Sequence, residues 1–392
     1  MISRRSFLIR SSQIAVASTL TTLANSTGAL NVSAFAAPSM PPLLAPLRPQ
    51  LAAPDVPLEV KIGQMIMVGF AGRYLNENSA IVKEIKERHL GAVVLFRPNI
   101  ESPVQLLNLT RTLKTASEFP LLIATDQEGG KVSRLTNNFG LPYNYSEQYL
   151  GTNNDLEKTR AQGESTAQAL SQFGINLNLA PVVDLNVNPN NPIIGRYERS
   201  YSADPSIVVN HASTTVDAHR KYNVLCTLKH FPGHGSSRGD THVGFVDVTE
   251  TWSDKELAPF AELVKRGSAD AIMTAHIFNS KLDANLPATL SRPIITGLLR
   301  EQIKYDGVIV SDDMHMRAIA GQYSTEQAVQ LAIEAGVDML AISNNIPSTK
   351  KLSAGMAVDI IKRMVESGKI SVDRIDQSYR RITTLKNKLA AT

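Results

Sequence analysis

Val224-Leu225-Cys226-Thr227-Leu228-Lys229-His230-Phe231-Pro232-Gly233-His234-Gly235 joins an apolar run to an abrupt polar end. Its first half is continuous rather than alternating, as a parallel strand buried on both faces would be. It stops at a cation and an imidazole, Lys229 and His230, and Pro232, Gly233 and Gly235 then break regular structure. The loop beyond ends in a carboxylate and an imidazole two residues apart, Asp240 and His242. Strand, polar end, stiff turn and acid–histidine pair together describe a strand that delivers chemistry to a loop.

The same unit repeats along the chain. Apolar runs at 65–70, 91–96, 121–126, 175–185, 224–229, 271–276, 307–312 and 338–343 read as strands. Helical patterns lie between and after them, at 76–89, 102–117, 156–174, 204–223, 255–267, 291–304, 325–336, 353–368 and 372–388, with a first short helix at 58–64. The alternation predicts an α/β fold, and eight units over about 330 residues predict a single (β/α)8 TIM barrel spanning 58–392. The competing open, doubly wound sheet usually announces itself by a glycine-rich phosphate turn after the first strand. Val68-Gly69-Phe70-Ala71-Gly72 resembles one only weakly.

Ahead of the barrel, Ser3-Arg4-Arg5-Ser6-Phe7-Leu8 carries twin arginines, Ile14 to Ala24 is mildly apolar, and Ala34-Phe35-Ala36 offers a cleavage site. Residues 1–36 are therefore expected to be a Tat-type signal peptide. The protein would pass through the Tat translocon and finish periplasmic or secreted. The apolar stretch falls short of the about 20 residues that span a bilayer, so no stable membrane anchor is expected after cleavage. Seven prolines between 37 and 57 predict an extended leader. The net charge of +4 is largely the signal's: without Arg4, Arg5 and Arg10, 37 basic residues face 36 acidic ones. No bias toward nucleic acid remains. Cys226 is the only cysteine, so no intrachain disulfide can form and stability must come from the core. A monomer is expected.

In a barrel, function gathers where the strands end. The predicted strands end at Asp126, Asp184, Lys229 with His230, His276, Asp312 with Asp313, and Asn344. Singly, each has an ordinary structural explanation: Asp312 or Asp313 can cap a helix, and His276 can bond loop backbone. Jointly they predict a polar site. His230 and His234 are four apart, but Pro232 and Gly233 prevent the helical turn that aligns two ligands, and the glutamate of H-E-x-x-H is missing, so no metal is expected. Thr125-Asp126-Gln127-Glu128-Gly129-Gly130 is acidic and would repel phosphate. No nucleotide fingerprint is present and no cofactor is expected. A ring of Asp, Asn, Lys, Arg and His suits a neutral polyhydroxyl ligand, a carbohydrate.

Lys229-His230-Phe231-Pro232-Gly233-His234-Gly235 resembles the signature of glycoside hydrolase family 3. Further matches fall in the family's order: Lys61-Ile62-Gly63-Gln64-Met65, Asp126-Gln127-Glu128-Gly129-Gly130, Ala180-Pro181-Val182-Val183-Asp184, Arg199-Ser200-Tyr201, Met273-Thr274-Ala275-His276, and Gly307-Val308-Ile309-Val310-Ser311-Asp312-Asp313-Met314. The resemblance covers 58–390. Asp240-Thr241-His242 is similar to the Asp-x-His pair of the single-domain bacterial β-N-acetylglucosaminidases. It implies a retaining mechanism with Asp312 as nucleophile and His242, held by Asp240, as acid/base. It implies sugar contacts at Asp126, Arg134, Arg199, Lys229 and His230, and places His276 in the mouth. Two departures stand out. Ile194-Gly195-Arg196-Tyr197-Glu198-Arg199-Ser200-Tyr201 is longer than the usual Ile-Gly-x-Arg-Ser-Phe, which leaves Arg196 competing with Arg199. Val243-Gly244-Phe245 follows His242 without the expected proline.

The resemblance implies an exo-acting β-N-acetylhexosaminidase working on chitin- or peptidoglycan-derived saccharides. Other readings stay open: a β-glucosidase of the same family, the same chemistry with phosphate as acceptor, or an exported saccharide-binding protein without catalysis. The last has no need of both a nucleophile and an acid/base.

Overall fold

The short apolar runs form strands whose residues are almost all buried. In the computed structural model, which describes residues 56–344 and 352–389, they are β1 (Ile66–Gly69), β2 (Ala92–Leu95), β3 (Leu122–Thr125), β4 (Leu177–Asn178), β5 (Leu225–Phe231), β6 (Ala271–Thr274), β7 (Val308–Val310) and β8 (Leu340–Ile342). All pair in parallel, β1 through β7 in chain order, with β8 beside β1. Register pairs such as Val93↔Ile123, Leu177↔Leu225 and Ile272↔Ile309 put apolar residues side by side around the ring.

Between β7 and β8 the ring closes through one bridge, Val310 to Met339. Above it one backbone bond, from the Met314 N–H to Ala341 O at 2.9 Å, is joined by side chains. Ser311 Oγ accepts the Ala341 N–H at 2.9 Å, and Asp313 Oδ1 accepts the Ser343 N–H at 2.9 Å. Asp313 Oδ2 also receives the Ser343 hydroxyl. The eightfold parallel barrel is thus observed, and the open sheet is not.

Helices cover the outside because their apolar residues fall in one stripe. Ala354–Glu366 buries Ala357, Val358, Ile361 and Met364. Most starts are capped by a hydroxyl or carboxylate that accepts a first-turn N–H, as Ser102 does for Gln105, Asp204 for Ser206 and Ser324 for Gln327. At the strand starts, the end away from the predicted site, Asp338 is ringed by Arg300, Arg374 and Arg381, and Asp270 by Arg220 and Lys388. These paired charges brace the floor of the barrel.

Three details differ from the sequence expectation. The 291–304 pattern folds as a π-helix, Pro293–Gln302, with the Ile303 N–H bonding back to Leu298 O at 2.9 Å. The helix Glu147–Asn153 and a two-stranded parallel pair, Val246–Asp247 with Ile277–Phe278, are additions to the barrel. The last leader residue but one, Val56, is buried against Val60 and Tyr379, so the folded body begins slightly earlier than residue 58. The expected signal peptide, its cleavage site and the leader up to residue 55 lie outside the described residues. Among the described residues no helix is long and apolar enough to cross a membrane.

Candidate active site

The glycines of the Lys229–Gly235 stretch explain how its strand turns out of the barrel. Gly235 lies so close to the β4 loop that a Cβ would sit 1.7 Å from Leu185 O. Gly233 takes φ +117°, where a side chain would also strike Glu256. Glu256, buried in turn, accepts the Gly235 N–H at 2.9 Å and the Ser236 N–H at 3.4 Å through Oε2. Burial pushes its carboxyl up to about 7, with Asp184 adding to the rise. A close approach and a carboxylate clamp therefore fix the root of the loop that carries Asp240 and His242.

At the strand ends the charges interlock. Lys229 Nζ reaches Asp126 Oδ1 at 2.9 Å and Glu128 Oε1 at 2.7 Å. Arg134 Nη2 holds the other Asp126 oxygen at 3.1 Å. Arg199 grips Glu128 with two parallel bonds, Nε to Oε2 at 2.7 Å and Nη2 to Oε1 at 2.8 Å. Burial pushes the Glu128 carboxyl up, but Arg199 and Lys229 more than offset this and bring it down to about 2. Asp126 lies below the ordinary carboxylate range: its burial is outweighed by Lys229 and Arg134. Nearby, Glu147 accepts the Val182 N–H at 3.0 Å, and burial with the Glu128 charge holds its carboxyl well above the usual range.

Asp184, fully buried, organises the histidines. It accepts the His230 N–H at 3.1 Å, the His234 N–H at 2.8 Å, and the His230 ring at Nδ1 at 2.7 Å. Arg199 Nη2 donates toward His230 Nε2 at 3.4 Å, an arrangement that leaves the ring proton on Nδ1. His234 turns elsewhere, its Nδ1 2.6 Å from Ser237 Oγ, and burial lowers it to about 4. Among the described residues no three His, Cys, Asp or Glu side chains converge as metal ligands would.

Asp312 ends β7 and faces a cavity of about 400 Å³, which Asp126, Arg134, Arg199, Lys229 and His230 also line. Burial raises its carboxyl, but His276, His230 and His242 hold it below the ordinary range, as an anion. Asp240 and His242 line the same cavity from the β5 loop. His242 Nδ1 is 2.8 Å from Asp240 Oδ1, and its imidazole pKa is raised by that bond, against a smaller loss to burial and with help from Asp312.

The structure thus brings together eight of the nine residues singled out from the sequence. His276 is the exception. It is fully buried and lies behind the cavity rather than in its wall, with Nδ1 2.8 Å from Thr289 Oγ1 and Nε2 3.0 Å from Asp313 O. Both nitrogens are occupied, one by Thr289 and one by the backbone of Asp313, so His276 supports the end of β7 from behind the cavity. Arg196 is exposed while Arg199 faces the cavity, which separates the two competing arginines. Glu128 and Glu147 are not singled out by the sequence, although Glu128 sits in the acidic Asp126–Gly130 turn, and Asp184, named there as a strand end, receives no role of its own. Such carboxylates acquire meaning only from the cations and N–H groups that the fold brings to them.

Residues 57–385 match the family described as glycosyl hydrolase family 3 N terminal domain. The chain is 34% identical over 336 residues to a beta-hexosaminidase A of Pseudoalteromonas piscicida, covering 78% of this chain and 54% of that one. It therefore spans about half the length of that relative. Among solved structures it is similar to a glycoside hydrolase family 3 beta-N-acetylglucosaminidase from Paenibacillus sp., with TM-score 0.78, 36% identity, and 86% and 63% of the two chains covered. It is also similar to a beta-N-acetylhexosaminidase from Beutenbergia cavernae, with TM-score 0.76, 30% identity, and 85% and 99% covered.

Proposed function

This chain belongs to glycosyl hydrolase family 3, and on that premise we propose that it is an exo-acting, retaining β-N-acetylhexosaminidase that releases terminal N-acetylglucosamine. The observation that carries the reading is the anionic Asp312 facing one cavity with the Asp240–His242 pair. A retaining glycosidase needs a nucleophile on one side of the anomeric carbon and an acid/base at the leaving oxygen. The names of its relatives supply the N-acetyl sugar.

In the proposed sequence, the terminal sugar is held by hydrogen bonds to Asp126, Lys229, Arg134, Arg199 and His230. The Asp312 carboxylate attacks the anomeric carbon as the glycosidic C–O bond breaks. The departing oxygen takes the proton from His242, whose Nδ1 stays on Asp240. Water then attacks the glycosyl-enzyme, His242 removes its proton, and Asp312 is released. A histidine in this role does not repel the Asp312 anion, before its attack or on its release, as a second carboxylate would. Asp313 is not an attacking group: both its oxygens are engaged by Ser343 and the His315 N–H. The reading that the substrate is a chitin- or peptidoglycan-derived saccharide follows from the resemblance to the bacterial enzymes of this family, and its placement outside the cytoplasm from the expected export signal at Arg4-Arg5 and Ala34-Phe35-Ala36.

The test is hydrolysis of 4-nitrophenyl β-N-acetylglucosaminide and of the matching β-glucoside, with and without phosphate, by the wild type and Asp312→Ala. Turnover of the N-acetyl substrate that vanishes in the variant supports both activity and nucleophile. Preference for the glucoside moves the specificity, acceleration by phosphate moves the acceptor, and turnover that survives Asp312→Ala removes the covalent mechanism.

A further inference from the structure

The loop from Ile194 to Tyr201 carries a side chain that the proposed catalytic groups leave unexplained. Tyr197 stands in the wall of the catalytic cavity and is 48% exposed. Its backbone is fixed. The next residue, Glu198, adopts the left-handed conformation at φ 60°, which is costly for a residue with a Cβ. The turn is pinned on both sides. Lys131 Nζ reaches Arg196 O at 2.9 Å and Glu198 Oε1 at 3.4 Å, and the Gln148 N–H donates to Glu198 O at 3.1 Å. A strained turn held by the β3 loop and a helix presents an aromatic ring that could otherwise have packed inward or swung free. These are also the residues by which the loop exceeds its expected length.

Depth in the cavity says which part of a substrate the ring meets. The Lys229 and Asp126 side chains are 2% and 18% exposed, and they form the floor. His242 is 56% exposed, at the rim. If the terminal sugar occupies the floor and His242 faces the leaving oxygen, the leaving group lies at rim level. Tyr197 belongs to that level. The C–H face of a pyranose is apolar and carries partial positive charge, which complements the negative face of an aromatic ring.

We propose that Tyr197 is a stacking platform for the sugar ring on the leaving-group side, so that the enzyme prefers a saccharide over a small alkyl aglycone. This rests on the glycosidase reading above. The experiment compares kcat/KM for the β-1,4-linked disaccharide of N-acetylglucosamine and for methyl β-N-acetylglucosaminide, both with alkoxide leaving groups, in the wild type, Tyr197→Ala, Tyr197→Phe and Tyr197→Trp. The loss in Tyr197→Ala is expected to be about five- to tenfold larger on the disaccharide than on the methyl glycoside, carried in KM, with Phe and Trp restoring the ratio. An equal loss on both substrates, or none on the disaccharide, overturns the inference while leaving the activity in place. A wild type that hydrolyses neither overturns the activity reading, and the inference with it.

Discussion

One carboxylate oxygen of Asp240 receives two N–H groups of His242, the ring Nδ1 and the backbone nitrogen, each at 2.8 Å. The imidazole is thereby fixed in rotation and tautomer, with Nε2 left to face the cavity. The bond from Asp240 is also the largest cause of the raised His242 pKa.

Asp240→Asn should therefore move the descending limb of the pH–rate profile. His242 must be protonated to expel a poor leaving group, so activity falls as pH rises through its pKa. With the carboxylate gone the pKa drops and the limb shifts to lower pH. On an alkyl glycoside kcat should fall by about 10²-fold or more, while a 4-nitrophenyl substrate, whose leaving group needs little protonation, loses much less. A limb that stays in place would show that another group sets it.

Glu256→Ala should give a milder version of the same signature. Its carboxylate clamps Gly235 and Ser236 at the root of the acid/base loop, so its loss lets His242 wander without removing it. Alkyl glycosides should slow several-fold more than 4-nitrophenyl glycosides. Equal slowing on both would mean that the clamp serves folding alone.

Glu128→Gln strikes the paired charges instead. It leaves Arg199 and Lys229 without their shared anion, and breaking a buried pair in this way costs about 3–5 kcal/mol. Glu128 is depressed from 4.5 to about 2, so its stabilisation is complete above pH 4.5 and is lost as pH falls toward 2. Chemical denaturation at pH 7 should show a markedly lower midpoint for the variant, and the gap to wild type should close on acidification.

Lys386 provides the opposite sign. Burial brings its amine down to about 7, and Gln64 Oε1 at 2.6 Å is its hydrogen-bond partner. Below pH 7 both folded and unfolded states carry the charge and the folded state bears its burial. Between pH 7 and about 10.5 only the unfolded state is charged, so this group's penalty fades as pH rises. Lys386→Met should abolish that alkaline gain, read as the difference in denaturation midpoint between pH 7 and pH 10.

The barrel was legible because burial on both faces makes most strands largely apolar runs, and the run stops where a charged side chain is needed. Leu225 to Lys229 shows both halves of that rule. The two-residue strands Val246–Asp247 and Ile277–Phe278 are too short to show a period, and Glu147–Asn153 carries a glycine within its seven residues. For the site, sequence order delivers the side chains but not their depth. Asp126 and Glu128 stand two apart and both line the cavity, yet Asp126 stays partly open while Glu128 is sealed against Arg199. His276 looks like a mouth residue until Thr289 and Asp313 are seen to occupy its nitrogens.

Asp313 reinforces the ring where the backbone ladder thins, bonding the end of β7 to the end of β8 through Ser343, and it is the immediate neighbour of Asp312. The reactive carboxylate thus stands on the seam of the barrel. Architecture and reactivity hang on the same stitch: a change that lets the cylinder unroll displaces the nucleophile first, so loss of activity should be the earliest sign that the barrel is opening.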